Sequence, residues 1–281
     1  MSAGTAASTS PTTPISPPSP IAGIGRVFEH RFLTYRRTFR ASLFSSFLTP
    51  LLFLAAMGLG LGGYVDSSGL EALGGVPYIA FLAPGLLVAT AMQSAAFEAT
   101  FPIMAGLVWS RVFHAMYATP ITSRDVALGN LLWIAARLLL ITSVFTFVIV
   151  LFGAALSPMV LLAIPVAVLT GLAFAAPIAA FSATQRTPDR FASIFRFLIT
   201  PLFIFSGTFF PVEGLPPAVQ PLAWLTPLYH GGVLARGLSL GTFGVDPTPE
   251  RALIHVAVLV GFIVVGTVLA IRTVNAKLVR G

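Results

Sequence analysis

Apolar residues in this chain run in long blocks, and polar residues gather between the blocks. Six blocks reach the roughly 20 residues that a helix needs to cross a bilayer: about 43–62, 78–97, 131–153, 159–183, 191–210 and 252–271. Only two charged residues, Arg137 and Arg196, fall inside them. A helix satisfies its own backbone hydrogen bonds, so uninterrupted apolar blocks of this length predict membrane-spanning helices. The expected fold is all-α, a polytopic membrane protein with six transmembrane helices. The fifth block is the weakest because Arg196 interrupts it; an arginine near the end of a span extends its head to the interface.

A different period precedes the first block. Ile24, Phe28, Phe32, Tyr35 and Phe39 recur on one face at about 100° per residue, with Arg26, His30, Arg37 and Arg40 opposite. That pattern predicts a basic amphipathic helix on the cytoplasmic leaflet, its stripe in lipid and its arginines at the phosphates. The alternative is one bent helix continuing into the first span, which would carry Arg36, Arg37 and Arg40 into hydrocarbon at a cost. Residues 1–20 hold 14 Ser, Thr or Pro and no charged side chain, too little apolar surface to order a chain. They read as a disordered tail, and they lack the basic start and apolar core of a signal peptide.

Two connections stand out. Residues 97–130 are far longer than a tight turn. A short helix is expected there over about 103–117, with Pro102 in its first turn and Pro120 beyond its end. It carries Met104, Trp109, Arg111, Phe113, His114 and Tyr117. Trp, Tyr and Arg dominate the energetics of protein contacts; a second helix resting in lipid is the alternative. Between the fifth and sixth blocks, "SGTFFPVEGLPPAVQPLAWLTPLYHG" carries prolines at Pro211, Pro216, Pro217, Pro221 and Pro227. They prevent a continuous helix and predict short pieces joined by turns. Phe209, Phe210, Trp224, Leu228 and Tyr229 suit anchors at a membrane interface, and an ordinary surface loop is the alternative reading.

Composition agrees with the blocks: 56% of the 281 residues are hydrophobic and 9% charged, and the mean hydropathy is +0.92. A soluble domain is about a quarter charged, so lipid must be the solvent. Basic loops stay in the cytoplasm. With the N-terminus inside, the cytoplasmic segments hold 12 basic residues against Arg236 and Arg251 outside. Both termini are then cytoplasmic, and the chain is a multi-pass protein of the cell membrane. The net charge of +7 reads as this topological signal and as attraction to anionic lipids, not as a nucleic-acid site. The chain has no cysteine, which excludes disulfides and thiolate metal sites.

Catalytic patterns are nearly absent. No G-x-x-x-x-G-K-[ST] phosphate loop occurs, and Lys277 is the sole lysine. The histidines, His30, His114, His230 and His255, show no metal-ligand spacing. Ser206-Gly207 with His255 is weak support for an intramembrane serine protease, since Ile204 stands where the glycine of G-x-S-G belongs. His255 reads as an end-of-span residue, and His230 as a hydrogen-bonding partner of the proline-rich segment. A secondary transporter would show similar halves and carboxylates within broken spans. No repeat is evident, and every acidic residue, Glu98 included, lies at or outside a block's end. Arg137, about one turn inside the third block, is a candidate contact for an anionic head group together with Glu98; pairing with Glu98 itself or with lipid phosphate is the alternative.

Three segments carry a resemblance: "PYIAFLAPGLLVATAM", "FEATFPIMAGLVWSRVFHAMYATPITSRDVALGNLLWIAAR" and "FSGTFFPVEGLPPAVQPLAWLTPLYHGGVLARG". The chain from about Ile24 onward resembles the membrane subunits of type-2 ABC exporters. It is most similar to permeases of nodulation-factor (lipo-oligosaccharide) exporters, then to those of daunorubicin-type drug exporters. The resemblance implies six spans, a dimer of permeases with a second copy or a homologous permease, and a pair of separate ATPase subunits that bind ATP and Mg. It also implies that Arg26, Phe28, Phe32, Arg36, Arg37 and Arg40 belong to an interface helix. Met104, Trp109, Arg111, Phe113, His114 and Tyr117 would form a coupling helix that meets the ATPase. Phe209, Phe210, Pro211, Pro216, Trp224 and His230 would belong to a re-entrant exit segment. The expected cargo is an amphipathic lipid-like, glycolipid or drug molecule, with no catalytic or metal site in this chain.

Overall fold

The structure is a computed structural model that describes residues 20–37, 39, 44, 48, 51–67 and 75–280. Residues 1–19 of the expected tail, Arg40 and most of 43–50 lie outside the described residues. Every regular element among the described residues is helical, as the apolar blocks require. In chain order these are α1 (Pro20–Arg36), α2 (Leu51–Ser67), α3 (Tyr78–Met104), α4 (Val112–Tyr117) and α5 (Ser123–Leu151). After them come α6 (Ala163–Thr184), α7 (residues 189–205), α8 (Gln220–Trp224), α9 (Pro227–Leu240) and α10 (Pro249–Arg280).

Four helices among the described residues are long and apolar enough to cross a membrane: Tyr78–Trp109, Ser123–Leu151, Pro158–Thr184 and Pro249–Arg280. They form the centre of the molecule, with α6 packed against α3, α5 and α10. α3 is the most enclosed, and Leu82, Leu87 and Met92 are fully buried along it. α10 presents Leu253, Ile254, Val264 and Val265 outward, each more than half exposed. Such a surface is costly in water and ordinary in hydrocarbon.

Close packing between these helices depends on small residues. Where lipid surrounds apolar helices, burial of oily surface no longer drives them together, and contact depends on how closely backbones approach. At Gly266 of α10 a Cβ would stand 2.5 Å from the backbone nitrogen of Pro177 on α6. Any side chain there would force the two helices apart.

Several elements differ from the sequence expectation. The second span continues past residue 97 through Met104 and then widens into a π turn at Ala105–Trp109. Pro102 therefore sits inside α3 and not in the first turn of a new helix. A proline has no N–H to donate; π widening is one way such a helix adjusts, and here the Ala105 N–H reaches the carbonyls of both Phe101 and Pro102. Glu98, expected at or outside a span end, is consequently buried within α3. The single helix expected over 103–117 is divided at Arg111, whose φ of 52° cannot continue a right-handed helix.

α5 begins at Ser123, eight residues before the expected third span, because Thr122 and Asp125 form a reciprocal capping box. The helix expected over 191–210 ends at Phe205, ahead of Gly207 with φ 83°. Its 17 residues reach about 25 Å at 1.5 Å each, short of a hydrocarbon core of about 30 Å.

α1 runs beside α5 in the same direction. Val27 lies on Gly129, where a Cβ would come within 2.6 Å of it. Farther along, the rings of Phe28 and Tyr35 meet Trp133 with centroids 5.8 and 5.3 Å apart. The stripe expected to rest wholly in lipid thus packs in part on protein: Phe28 and Tyr35 are half-buried and Phe32 is exposed.

Candidate functional site

The turn between α3 and α5 combines anchors with exposed side chains. Met104 is fully buried and Phe113 is 2% exposed; Phe113 lines a small gap with Ile103, Val126 and Val274. These two hold the turn in place and have no surface to offer a partner. Trp109 and Tyr117 are 56% and 38% exposed, and Arg111 is exposed between them. Thr119 Oγ1 donates to the Met116 carbonyl at 2.6 Å, closing α4. Burial, followed by the positive charges of Arg111 and Lys277, holds the His114 imidazole below its ordinary value. The result is a rigid knob with an aromatic and cationic outer surface.

A groove of about 370 Å³ lies between α1 and α5. Phe28, Phe32, Tyr35, Phe39 and Trp133 line it, and Arg137 closes one side. Arg137 lies 14 residues along α5, about 21 Å from its start. It pairs with Glu98 of α3, Nη2 to Oε1 at 3.5 Å, and its guanidinium stands 4.4 Å from the centre of the Tyr35 ring. Arg31 of α1 approaches the other oxygen of Glu98 at 3.8 Å. The pairing of Glu98 with Arg137 was one sequence alternative; the role of Arg31 was not visible, since it read only as one cytoplasmic charge among twelve. Arg26, Arg36 and Arg37 are exposed along α1.

At the other end of the bundle, the proline-rich segment folds into short pieces, as its residues require. Pro211 precedes a 3₁₀ turn at Val212–Gly214, Pro221 lies in the first turn of α8, and Pro227 starts α9 after the Thr226 cap. The prolines stand where a helix begins and a missing N–H costs nothing. A cavity of about 630 Å³ opens there, lined in part by Pro211, Tyr229, Arg236 and His255. Phe209 and Phe210 are half-buried, while Pro216 and Trp224 are exposed. His230 and His255 face each other with Nδ1 atoms 2.6 Å apart, so one ring donates and the other accepts. The sequence reading of His255 as an end-of-span residue carried no sign of this contact.

Arg236 was missed as a site residue. It donates from Nε to the Phe81 carbonyl at 3.1 Å and from Nη2 to the carbonyls of Gly207 and Thr208. The one sequence signal was an arginine set in the small-residue stretch "GGVLARG". Among the described residues no group of three or more His, Cys, Asp or Glu side chains gathers to hold a metal.

Comparison with known proteins places these features in context. Residues 24–240 match the family described as ABC-2 type transporter. The chain is 31% identical over 252 residues to Nodulation protein J of Sinorhizobium fredii, covering 90% of this chain and 92% of that protein. It is 32% identical over 257 residues to Nodulation protein J of Rhizobium leguminosarum bv. viciae, covering 90% and 94%. A third relative, Nodulation protein J of Rhizobium meliloti, is 32% identical over 238 residues, 84% of each chain.

Proposed function

Since this chain belongs to the ABC-2 type transporter family, as a multi-pass membrane subunit without an ATPase site that works with a separate ABC ATPase, we propose that it exports an amphipathic lipid-like, glycolipid or drug molecule. ATP and Mg bind the partner subunits. The observation that carries this reading is the knob of Trp109, Arg111 and Tyr117, exposed on a turn held by buried Phe113. Its residue types are those of binding hot spots, and it is the surface that meets the ATPase. Closure of the ATPase pair pushes on this knob and rocks α3 and α5, alternating access between the two sides.

In this reading α2 and α7 complete six spans, the bilayer thinning locally to meet the shorter α7, both termini are cytoplasmic, and a second permease, identical or homologous, completes the transporter. α1 lies at the cytoplasmic interface with anionic lipids beside Arg26, Arg36 and Arg37. The pieces from Pro211 to Leu240 cap the exit; irregular backbone of this kind survives at membrane depth where it borders protein or a watery cavity, and the 630 Å³ cavity supports that.

The test is reconstitution of the chain with its ATPase in vesicles, followed by transport of a fluorescent lipid analogue. Transport that needs both subunits and ATP is expected. Transport by the chain alone would identify a secondary transporter and overturn the reading.

A further inference from the structure

Arg137, which lines the α1–α5 groove, belongs to a cluster with more positive charge than a structural ion pair needs. Arg31, Glu98 and Arg137 come from three helices, and two guanidinium groups share one carboxylate at 3.8 and 3.5 Å. Their side chains are 16%, 12% and 18% exposed. Nε and Nη2 of Arg31 and Nε of Arg137 are buried and make no hydrogen bond. One arginine would neutralise Glu98. The second leaves a net positive charge and donors without acceptors in a low-dielectric place, a costly arrangement unless something anionic completes it.

Beside this cluster the wall of Phe28, Phe32, Tyr35, Phe39 and Trp133 is apolar and open, with Phe32 47% and Phe39 39% exposed. We propose that the groove binds one membrane amphiphile, with its hydrocarbon chain on the aromatic wall and its phosphate-bearing head accepting hydrogen bonds from Arg137, the arginine of the cluster that lines the groove, with Arg31 behind it adding positive charge. The planar fork of arginine matches phosphate oxygens, and 370 Å³ falls within the range of about 300–1,000 Å³ typical of small-molecule sites. Stacking on Tyr35 holds Arg137 at the groove and limits the ordering needed on binding. This inference deepens the exporter reading and rests on it for the site's place in transport; binding itself is independent of ATP.

The experiment uses the full chain purified with its ATPase in an uncharged detergent. Lysophosphatidylglycerol with a brominated chain is titrated while tryptophan fluorescence is followed, and the component lost in Trp133→Phe reports the groove. Saturable quenching is expected, at least about tenfold weaker in Arg137→Gln, the loss expected for removing a charge-assisted hydrogen bond. Arg31→Gln makes the same charge change and serves if Arg137→Gln fails to assemble. Glu98→Gln removes the competing carboxylate and should tighten binding, whereas a purely structural triad would only be weakened. Equal quenching by the uncharged brominated monoacylglycerol, or no response to the arginine variants, overturns the proposal. Complete displacement by inorganic phosphate identifies a free-anion site and overturns it as well. Failure of this binding leaves ATPase co-purification and transport intact. Failure of the exporter reading removes ATP-dependent transport and leaves the quenching unchanged.

Discussion

Arg236 and Phe81 meet twice. Nε of Arg236 donates to the Phe81 carbonyl at 3.1 Å, and its guanidinium carbon stands 4.1 Å from the centre of the Phe81 ring. Through Nη2 the same side chain also holds the turn after α7. One residue of α9 therefore ties the start of α3 to the proline-rich segment.

Replacing Arg236 with leucine should leave these carbonyls without a donor and lower the stability of the purified complex by on the order of 3 kcal/mol. Arg236→Lys keeps the charge without the fork and should recover only part of it. Arg251→Ala, at an exposed position, should shift stability by less than about 0.5 kcal/mol. Thermal unfolding in detergent reads all three, and equal midpoints for Arg236→Leu and Arg251→Ala would remove the latch.

Two glycines on α10 make a matched pair. Gly266→Ala puts a methyl group against Pro177, whereas a Cβ at Gly261 meets nothing within 4 Å. The first should cost about 1–3 kcal/mol by overpacking, and the second should be neutral or slightly stabilising by helix propensity. Reversal of that order in unfolding experiments would contradict the packing of α6 on α10.

Arg111→Glu should separate the chain from its ATPase. Reversing a charge paired across an interface costs roughly 2–5 kcal/mol, a weakening of about tens- to thousands-fold, read as lost co-purification in detergent. Arg111→Gly relieves the left-handed backbone and should preserve folding while losing the contact. Full recovery of the partner with Arg111→Glu, with transport intact, would assign the knob another role.

Phe209 packs against Phe53 and Phe203, with ring centroids 6.2 and 5.1 Å away. Phe209→Ala with Phe210→Ala should impair transport and leave ATPase binding unchanged. Transport at the normal rate would make the segment a passive loop.

The chain lacks cysteine, so single introduced cysteines report topology cleanly. At Val245, 82% exposed, a cysteine should react with an impermeant thiol reagent added outside intact cells. At Thr187 it should react only after the membrane is opened. The opposite pattern would invert the chain.

Much of this protein was determined locally. The block at 159–183 predicts the helical run Pro158–Thr184 to within a residue at each end, because uninterrupted apolar sequence in lipid has little choice but to form a helix. Pro211, Pro221 and Pro227 likewise dictate where the short helical pieces start. Thr122 and Asp125 carry the start of α5 in their spacing, although the apolar count hid it behind Arg124. Which face meets which was decided only in three dimensions. In lipid both the buried and the outward faces of a helix are apolar, so hydrophobicity does not mark the contact side; close approach at Gly129 and Gly266 does. Polar partners distant in sequence were equally hidden. Arg31, Glu98 and Arg137 belong to three helices, and Arg236 reaches Phe81 across 155 residues. A charge in the low-dielectric interior must find its acceptor wherever packing brings one, and packing is a property of the whole bundle.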